Sequence, residues 1–209
     1  IKWLKRYLRK GYDYIALGGM VPISTRDLVG WLDEIFGQYL TGPDGLPIIK
    51  VHGFGLTSMK LITRYPWYSV DSTSWVMTGR MGGVYIPRRR DGGWEYGNAS
   101  DKIDVSSRSP LKGNALQHIS TTPQRLRDDI MSYLEEKGYK LGKSEFRKES
   151  ESYELKEGEK WFGKAEEGLR EVETIIEVGI CNAYQLRDEM NVIYFMDLEA
   201  WLPEWPWPF

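Results

Sequence analysis

The first third of the chain alternates between two hydrophobic patterns, one with helical spacing and one with the short apolar runs of buried strands. Residues 1–11 repeat apolar side chains every three to four positions and end at a glycine, which predicts a helix. Residues 24–40 predict a longer helix that Ser24 or Thr25 can cap, and residues 56–66 predict a short helix. The apolar face of the longer helix consists of Leu28, Leu32, Ile35, Phe36 and Tyr39.

Strand-like runs stand between these helices: "YDYIALGG" (12–19), "IIKVHGFG" (48–55) and "WYSVDSTS" (67–74). The order helix, strand, helix, strand, helix, strand implies parallel strands joined by crossover helices. Functional groups of such sheets collect at the carboxyl ends of the strands. The residues at these ends are Gly18, Gly19, His52, Gly53, Gly55 and Asp71.

The pattern changes after Asp71. Residues 78–98 are basic and rich in glycine, which indicates a long loop or a small hairpin, and residues 102–109 suggest a further strand. A well-marked helix follows Thr122 and Pro123. We therefore predict a first domain over 1–120 and a second, mainly helical region over 121–209. Its charged stretch at 143–160 is expected to be a mobile connection, and its proline-rich tail to dock in extended form.

Composition limits what the protein can be. The chain has 209 residues, a formal net charge of −2 and one cysteine, Cys181, so neither an internal disulfide nor a multi-cysteine zinc site is available. No apolar run approaches the roughly 20 residues of a membrane span, so we expect no membrane partner. The lone cysteine fits a reducing compartment, and a cytoplasmic location is expected. Because the chain starts without Met inside a helical pattern, we expect it to be the C-terminal part of a longer protein.

Asp71 is the first candidate for chemistry. An isolated Asp at a strand end is most often structural and caps the turn that follows, here with help from the hydroxyls of residues 72–74. The functional alternative is a nucleophile or general base. A carboxylate can attack an anomeric carbon and hold a covalent glycosyl intermediate, and neighbouring hydroxyls can keep it ionised.

The glycines and His52 admit two interpretations each. The glycines can serve tight turns that need positive φ, or they can let the backbone approach a flat ligand closely. His52 can be a packed histidine, or it can stack on a base or donate a hydrogen bond to the ligand. The other histidine, His118, is assigned no role.

Four arginines form the best local patch for nucleic acid in a chain with little net charge. Arg80, Arg88, Arg89 and Arg90 follow Asp71 in the sequence, with Trp75, Tyr85 and Trp94 interleaved. A solvated charge run is the usual interpretation of such a stretch. Arginines mixed with aromatics and glycines also suit phosphate contact and base stacking.

The strand ends "YIALGGMVP", "IKVHGFGLTS" and "YSVDSTSWVMTGRMGG" together resemble, in this order, the last catalytic strands of the tRNA-guanine transglycosylases. The resemblance is greatest to the branch that modifies DNA, the deoxypurine-in-DNA protein A family of phages and bacteria. It covers about residues 10–90. It implies an α/β fold, the C-terminal portion of a TIM-type (β/α)8 barrel with parallel strands, followed by a helical region without a zinc site.

The resemblance also implies roles for individual residues. Asp71 would be the nucleophile, and Leu17, Gly18, Gly19, His52 and Gly53 would bind the base. Arg80 would contact the nucleic acid, and we group Arg88, Arg89 and Arg90 with it. The implied reaction exchanges guanine for a 7-deazaguanine in DNA or tRNA, with DNA favoured, in a bacterial or phage-infected cell, and needs no metal or other cofactor.

This chain departs from the family at several positions. His52 stands where the family has a purine-stacking Met, and Met190–Asn191 stands where a His–Asn pair supplies the last zinc ligand. The family's other acids lie on strands outside this chain. Two alternatives stay open: a non-catalytic nucleic-acid-binding subunit, or an unrelated TIM-barrel glycosidase with a second carboxylate roughly 5–10 Å from Asp71. Whether the protein works as a homodimer or with a partner subunit also stays open.

Overall fold

The computed structural model describes residues 1–97, 101–113 and 117–204, which divide into two compact units. The first unit comprises Ile1–Ser74 and the described residues after Asp197, and the second comprises Trp75–Asp197. The predicted domain boundary near residue 120 falls inside the second unit. The end of the proline-rich tail lies outside the described residues.

The first unit contains the three predicted strands and the helices between them. Its elements are α1 (Lys2–Arg9), β1 (Tyr14–Leu17), α2 (Thr25–Ile35), β2 (Lys50–Gly53), α3 (Met59–Ile62) and β3 (Ser69–Val70). The strands form a parallel sheet in the order β1-β2-β3, in which Tyr14 pairs with Lys50 and His52 with Ser69. Ser24 caps α2, because its side chain accepts a hydrogen bond from the backbone N–H of Asp27, and this confirms one of the two predicted caps.

One face of this sheet carries the core. Burial alternates along β1 and β2, so that Ile15, Leu17 and Val51 are buried while the residues between them are not. They belong to a core cluster with Leu28, Leu32 and Ile35, the predicted apolar face of α2. The opposite face of the sheet therefore carries the polar side chains of β1, β2 and β3.

The second unit is built from antiparallel pairs and two longer helices. Its elements are α4 (Ser74–Arg80), β4 (Gly83–Ile86), β5 (Arg88–Arg90), β6 (Gly93–Glu95), β7 (Asp101–Asp104), α5 (Gln124–Glu136), β8 (Lys143–Ser150), β9 (Glu159–Glu166), β10 (Leu169–Glu177) and α6 (Tyr184–Trp201). Strand β4 pairs with β7, β5 with β6, and β10 lies between β8 and β9. Helix α5 occurs where the sequence predicts it, whereas β7 covers only the first part of the strand predicted over 102–109.

The predicted half-barrel is wrong. Within the described ranges, parallel strand pairing between these elements is confined to the sheet of β1, β2 and β3, and the protein is a mixed α/β structure with short sheets. Helix α4 and strand β4 continue the alternation after Val70, but β4 pairs antiparallel with β7 instead of adding a fourth parallel strand beside β3. Asp91 and Gly92 both have positive φ, at 47° and 82°, which matches a tight two-residue turn between β5 and β6.

The predicted mainly helical C-terminal region is also wrong over residues 143–177. The stretch expected to be a charged mobile connection forms β8 and the start of β9, and β10 completes an antiparallel sheet. Cross-strand pairs stabilise this sheet: Arg147 forms an ion pair with Glu159 at 2.7 Å, and the rings of Phe146 and Phe162 meet edge to face at 5.7 Å. Charged residues thus occupy strands here because they find partners across the sheet.

Two fully buried polar side chains organise the second unit. Asn191 accepts a hydrogen bond from the Tyr85 N–H and donates one to the Trp75 carbonyl, each at 2.9 Å. Glu173 forms an ion pair with Arg108 and accepts a hydrogen bond from Ser107 at 3.0 Å. Among the described residues, none of the helices has the combined length and apolar character that crossing a bilayer requires.

Candidate functional site

The carboxyl ends of β1, β2 and β3 lie together at one edge of the parallel sheet. Two backbone hydrogen bonds extend the pairing past the strands: Phe54 donates to the Leu17 carbonyl at 2.9 Å, and Asp71 donates to the Gly53 carbonyl at 3.2 Å. The structure therefore brings the predicted residues Leu17, Gly53 and Asp71 to the same edge. The Leu17 side chain itself is buried in the core, so only its backbone faces the edge.

The Asp71 carboxylate is held by the backbone and open to solvent. The side-chain Oδ1 accepts a hydrogen bond from the Gly55 N–H at 2.9 Å. The backbone carbonyl of Asp71 accepts one from the Leu56 N–H at 2.8 Å. The side chain is 57% exposed. Within the described part of the chain, no Lys or Arg forms a salt bridge with it. Asp71 thus stabilises the turn after β2 with one oxygen and leaves the other to the solvent side.

A line of polar side chains leads from Asp71 across the sheet. His52 Nε2 lies 3.7 Å from Asp71 Oδ1, beyond hydrogen-bond distance. On its other side, His52 Nδ1 lies 2.7 Å from Ser69 Oγ, and Ser69 Oγ lies 2.7 Å from the Tyr14 hydroxyl. The hydrogen bond to Ser69 orients the imidazole so that Nε2 faces the carboxylate.

Tyr14 and Ser69 were not among the residues predicted from the sequence. They share a face with His52 because side chains on a strand alternate and the register pairs His52 with Ser69. The alternation of β1 was readable in the sequence, but the pairing that brings Tyr14 to Ser69 depends on the tertiary register.

The glycines at this edge differ in whether backbone conformation or packing excludes a side chain at their position. Gly55 has φ +70°, and a Cβ there would lie 2.9 Å from the Val21 side chain. A Cβ on Gly53 would lie 3.1 Å from the Trp67 ring. Gly18, in contrast, is not in the positive-φ region, and its Cβ would make an ordinary 3.6 Å contact with Phe54. Backbone geometry and packing thus account for Gly53 and Gly55, whereas they do not require a glycine at position 18.

The four predicted arginines belong to the second unit. Arg80 is the last residue of α4 rather than part of a loop. Arg88 forms two hydrogen bonds with the Asp101 carboxylate, both at 3.1 Å, and Arg90 pairs with Glu95 at 2.7 Å. The Arg89 guanidinium stacks over the Trp94 ring at 5.3 Å. Two of the three β5 arginines are therefore neutralised by carboxylates of their own unit, which weakens this stretch as a phosphate-binding patch.

Comparison with protein-family models, with curated proteins and with solved structures finds no match to this chain. The resemblance to the tRNA-guanine transglycosylases therefore stays a prediction drawn from the residues at the strand ends.

Proposed function

We propose that this chain carries the catalytic carboxylate of a transglycosylase that exchanges guanine for a 7-deazaguanine in nucleic acid, with DNA the favoured substrate. Asp71 is the nucleophile in this proposal. The observation that carries it is the state of the carboxylate: one oxygen is fixed by the Gly55 N–H while more than half of the side chain is open to solvent. A nucleophile needs both an exposed oxygen and a fixed orientation.

The proposed reaction has two displacements at C1′ of the sugar. An oxygen of Asp71 forms a bond to C1′ while the bond from C1′ to guanine N9 breaks, and the electron pair leaves with the guanine. The departing guanine anion takes up a proton from water. The incoming 7-deazaguanine gives up its ring N–H proton to water and forms the new bond to C1′, while the bond from C1′ to the Asp71 oxygen breaks and its electron pair returns to the carboxylate. The target base has to leave its stack before attack.

The neighbouring residues support base positioning in this scheme. Gly18 and Gly19 follow β1 with exposed backbone, and the Cβ position of Gly18 lies 3.6 Å from the Phe54 ring, whereas that of Gly19 has open space around it. His52 meets Phe54 edge to face at 4.7 Å, so an aromatic pair stands next to the carboxylate. Such rings can contact the face of a purine.

The test is an exchange assay with the purified protein. Guanine labelled with ¹⁵N is incubated with guanine-containing single-stranded DNA or with tRNA, and the nucleosides are analysed by mass spectrometry. We expect incorporation by the wild type, and loss of incorporation with a retained fold in Asp71→Ala and Asp71→Asn. Mass spectrometry of nucleosides from cells with and without the gene identifies the natural substrate.

Asp44→Asn provides the matched control. Asp44 is another turn carboxylate of the first unit, and its Oδ1 accepts a hydrogen bond from the Leu46 N–H at 3.0 Å. This variant should exchange guanine like the wild type. Wild-type exchange by Asp71→Ala, or absence of exchange by the wild type on both nucleic acids, would contradict the proposal.

A further inference from the structure

The surface of α1 and the turn after it concentrates positive charge. Residues 1–12 contain five cations and no carboxylate side chain, whereas the whole chain has a net charge of −2. The remainder of the chain is therefore acidic. The five cations are Lys2, Lys5, Arg6, Arg9 and Lys10, all exposed, and we refer to them, together with the aromatic residues described next, as the α1 surface.

Three aromatic side chains are exposed among these cations. Trp3 is 60% exposed, Tyr7 43% and Tyr12 49%. The Arg6 guanidinium stacks over Trp3 at 5.2 Å, and Tyr7 and Tyr12 lie 6.0 Å apart. Large exposed aromatics grouped in this way mark interaction sites more often than isolated ones do.

The cations of the α1 surface are not neutralised. None of the five takes part in a salt bridge within the described residues. Arg88 and Arg90 differ in this respect, because each is paired with a carboxylate. The α1 surface is thus a stronger anion-binding candidate than the arginine run of β5.

The aliphatic side of α1 packs against the core of the first unit. Leu4 is 7% exposed and belongs to the core of the first unit, and Leu8 packs against the same cluster. A helix that binds anionic lipid inserts its apolar face into the bilayer boundary, whereas the aliphatic residues Leu4 and Leu8 of α1 pack in the protein core. Cations beside exposed rings instead suit a single strand of nucleic acid, whose phosphates bind cations and whose bases stack on aromatic side chains.

We propose that the α1 surface binds an unpaired stretch of a nucleic acid strand, with the cations on its phosphates and Trp3, Tyr7 and Tyr12 stacked on its bases. This inference deepens the proposed function by naming where the nucleic acid is held. It stands on different residues from the carboxylate chemistry, and its test needs no catalysis.

The test measures binding of a fluorescein-labelled 20-nucleotide single-stranded DNA by anisotropy over a range of salt concentrations. We expect Lys2→Gln/Arg6→Gln/Lys10→Gln to bind about tenfold more weakly at low salt. Its slope of log affinity against log salt should fall by about 2, since each lost phosphate contact removes roughly 0.7. The control Lys148→Gln/Lys160→Gln/Lys164→Gln makes the same charge change at exposed positions of the second unit and should bind like the wild type.

A second variant separates stacking from charge. Trp3→Ala should weaken binding to the single strand about tenfold, and should change binding to a duplex of the same sequence much less. Circular dichroism confirms that the variants keep their helices, since Gln and Ala are good helix formers. This assay measures binding without catalysis, so a failure of base exchange leaves the inference intact.

Three results would overturn the inference. One is an unchanged affinity and salt slope in the triple variant of α1. Another is an equal loss of affinity in the control variant, which would mean that only net charge matters. The third is sedimentation with phosphatidylglycerol vesicles that the α1 triple variant abolishes, combined with no measurable binding of the oligonucleotide.

Discussion

His52 and Asp71 face each other across the end of the parallel sheet, with Nε2 and Oδ1 3.7 Å apart. They reach this position from adjacent strands, and each is oriented by a different group. The Gly55 N–H holds the carboxylate at 2.9 Å, and Ser69 holds the imidazole at 2.7 Å. The pair is thus positioned by its surroundings rather than by a hydrogen bond between its members.

The two histidines of the chain should respond differently to substitution. His118 is 3% exposed and uses both ring nitrogens, with Ser120 at 2.6 Å and the Ser106 carbonyl at 3.1 Å. We expect His118→Gln to lower the free energy of unfolding by about 1–3 kcal/mol, because it leaves buried polar groups unpaired. His52→Gln should cost less than about 1 kcal/mol and should reduce base exchange about 100-fold, because it removes a ring that positions the base. Urea denaturation and the exchange assay measure these effects, and the reverse order of stabilities would contradict the assignment.

Gly18 and Gly53 should separate function from packing. Gly18→Ala meets only an ordinary contact with Phe54, so its stability should change by less than about 0.5 kcal/mol while base exchange falls. Gly53→Ala presses on the Trp67 ring at 3.1 Å and should lower stability by about 1–3 kcal/mol. Thermal unfolding compares the two variants. Normal exchange by a stable Gly18→Ala would remove Gly18 from the base site.

Asn191 should be a stabilising residue of the second unit. Its side chain is fully buried and bridges the Tyr85 N–H and the Trp75 carbonyl. Asn191→Ala leaves both groups without this partner, and we expect a loss of about 2–3 kcal/mol in the free energy of unfolding. Asn182→Ala is a control at a less buried amide, whose Oδ1 accepts a hydrogen bond from the Gly179 N–H at 3.0 Å. Equal losses in the two variants would show that burial at Asn191 does not matter.

Asp197 should contribute to acid sensitivity. Burial alone would raise the pKa of this carboxyl, but hydrogen bonds from Lys137 and Tyr96 outweigh it and hold the pKa below its usual range. A lowered pKa in the folded state stabilises the protein above the unfolded pKa of about 3.9, and this stability is lost as pH falls through the folded pKa. In Asp197→Asn, the decline of stability below about pH 4 should be shallower.

Lys137→Met tests the cause of this effect. Its ammonium lies 2.8 Å from Asp197 Oδ2, so removing it should raise the Asp197 pKa and also flatten the decline. The side chain of Asp197 is 28% exposed, and we expect less than about 1 kcal/mol because solvent screens the pair. Unfolding followed by urea titration between pH 3 and 7 measures the slope. An unchanged slope in both variants would contradict the assignment.

Local pattern determined much of the first unit. The helical spacing of Leu28, Leu32 and Ile35, with Ser24 before it, predicted α2 and its cap, and three short runs, two of them ending in glycines, predicted the strands. These features follow from contacts between residues close in sequence, or from the order in which helices and strands alternate. The same information predicted that Gly53 and Asp71 would share an edge.

The tertiary structure decided what local pattern could not. The parallel sheet stops at three strands because the next strand, β4, pairs antiparallel with β7, and the order of elements along the chain does not show this pairing. The strands β8 and β9 were missed because their charged residues look solvated until Arg147 meets Glu159 across the sheet. Tyr14 and Ser69 were also missed, because only the pairing of the strands brings them into one hydrogen-bonded line with His52. Strand register is set by hydrogen bonds and side-chain packing between residues that are far apart in the sequence. The sequence therefore shows which side chains alternate along a strand, but not which strand is its partner.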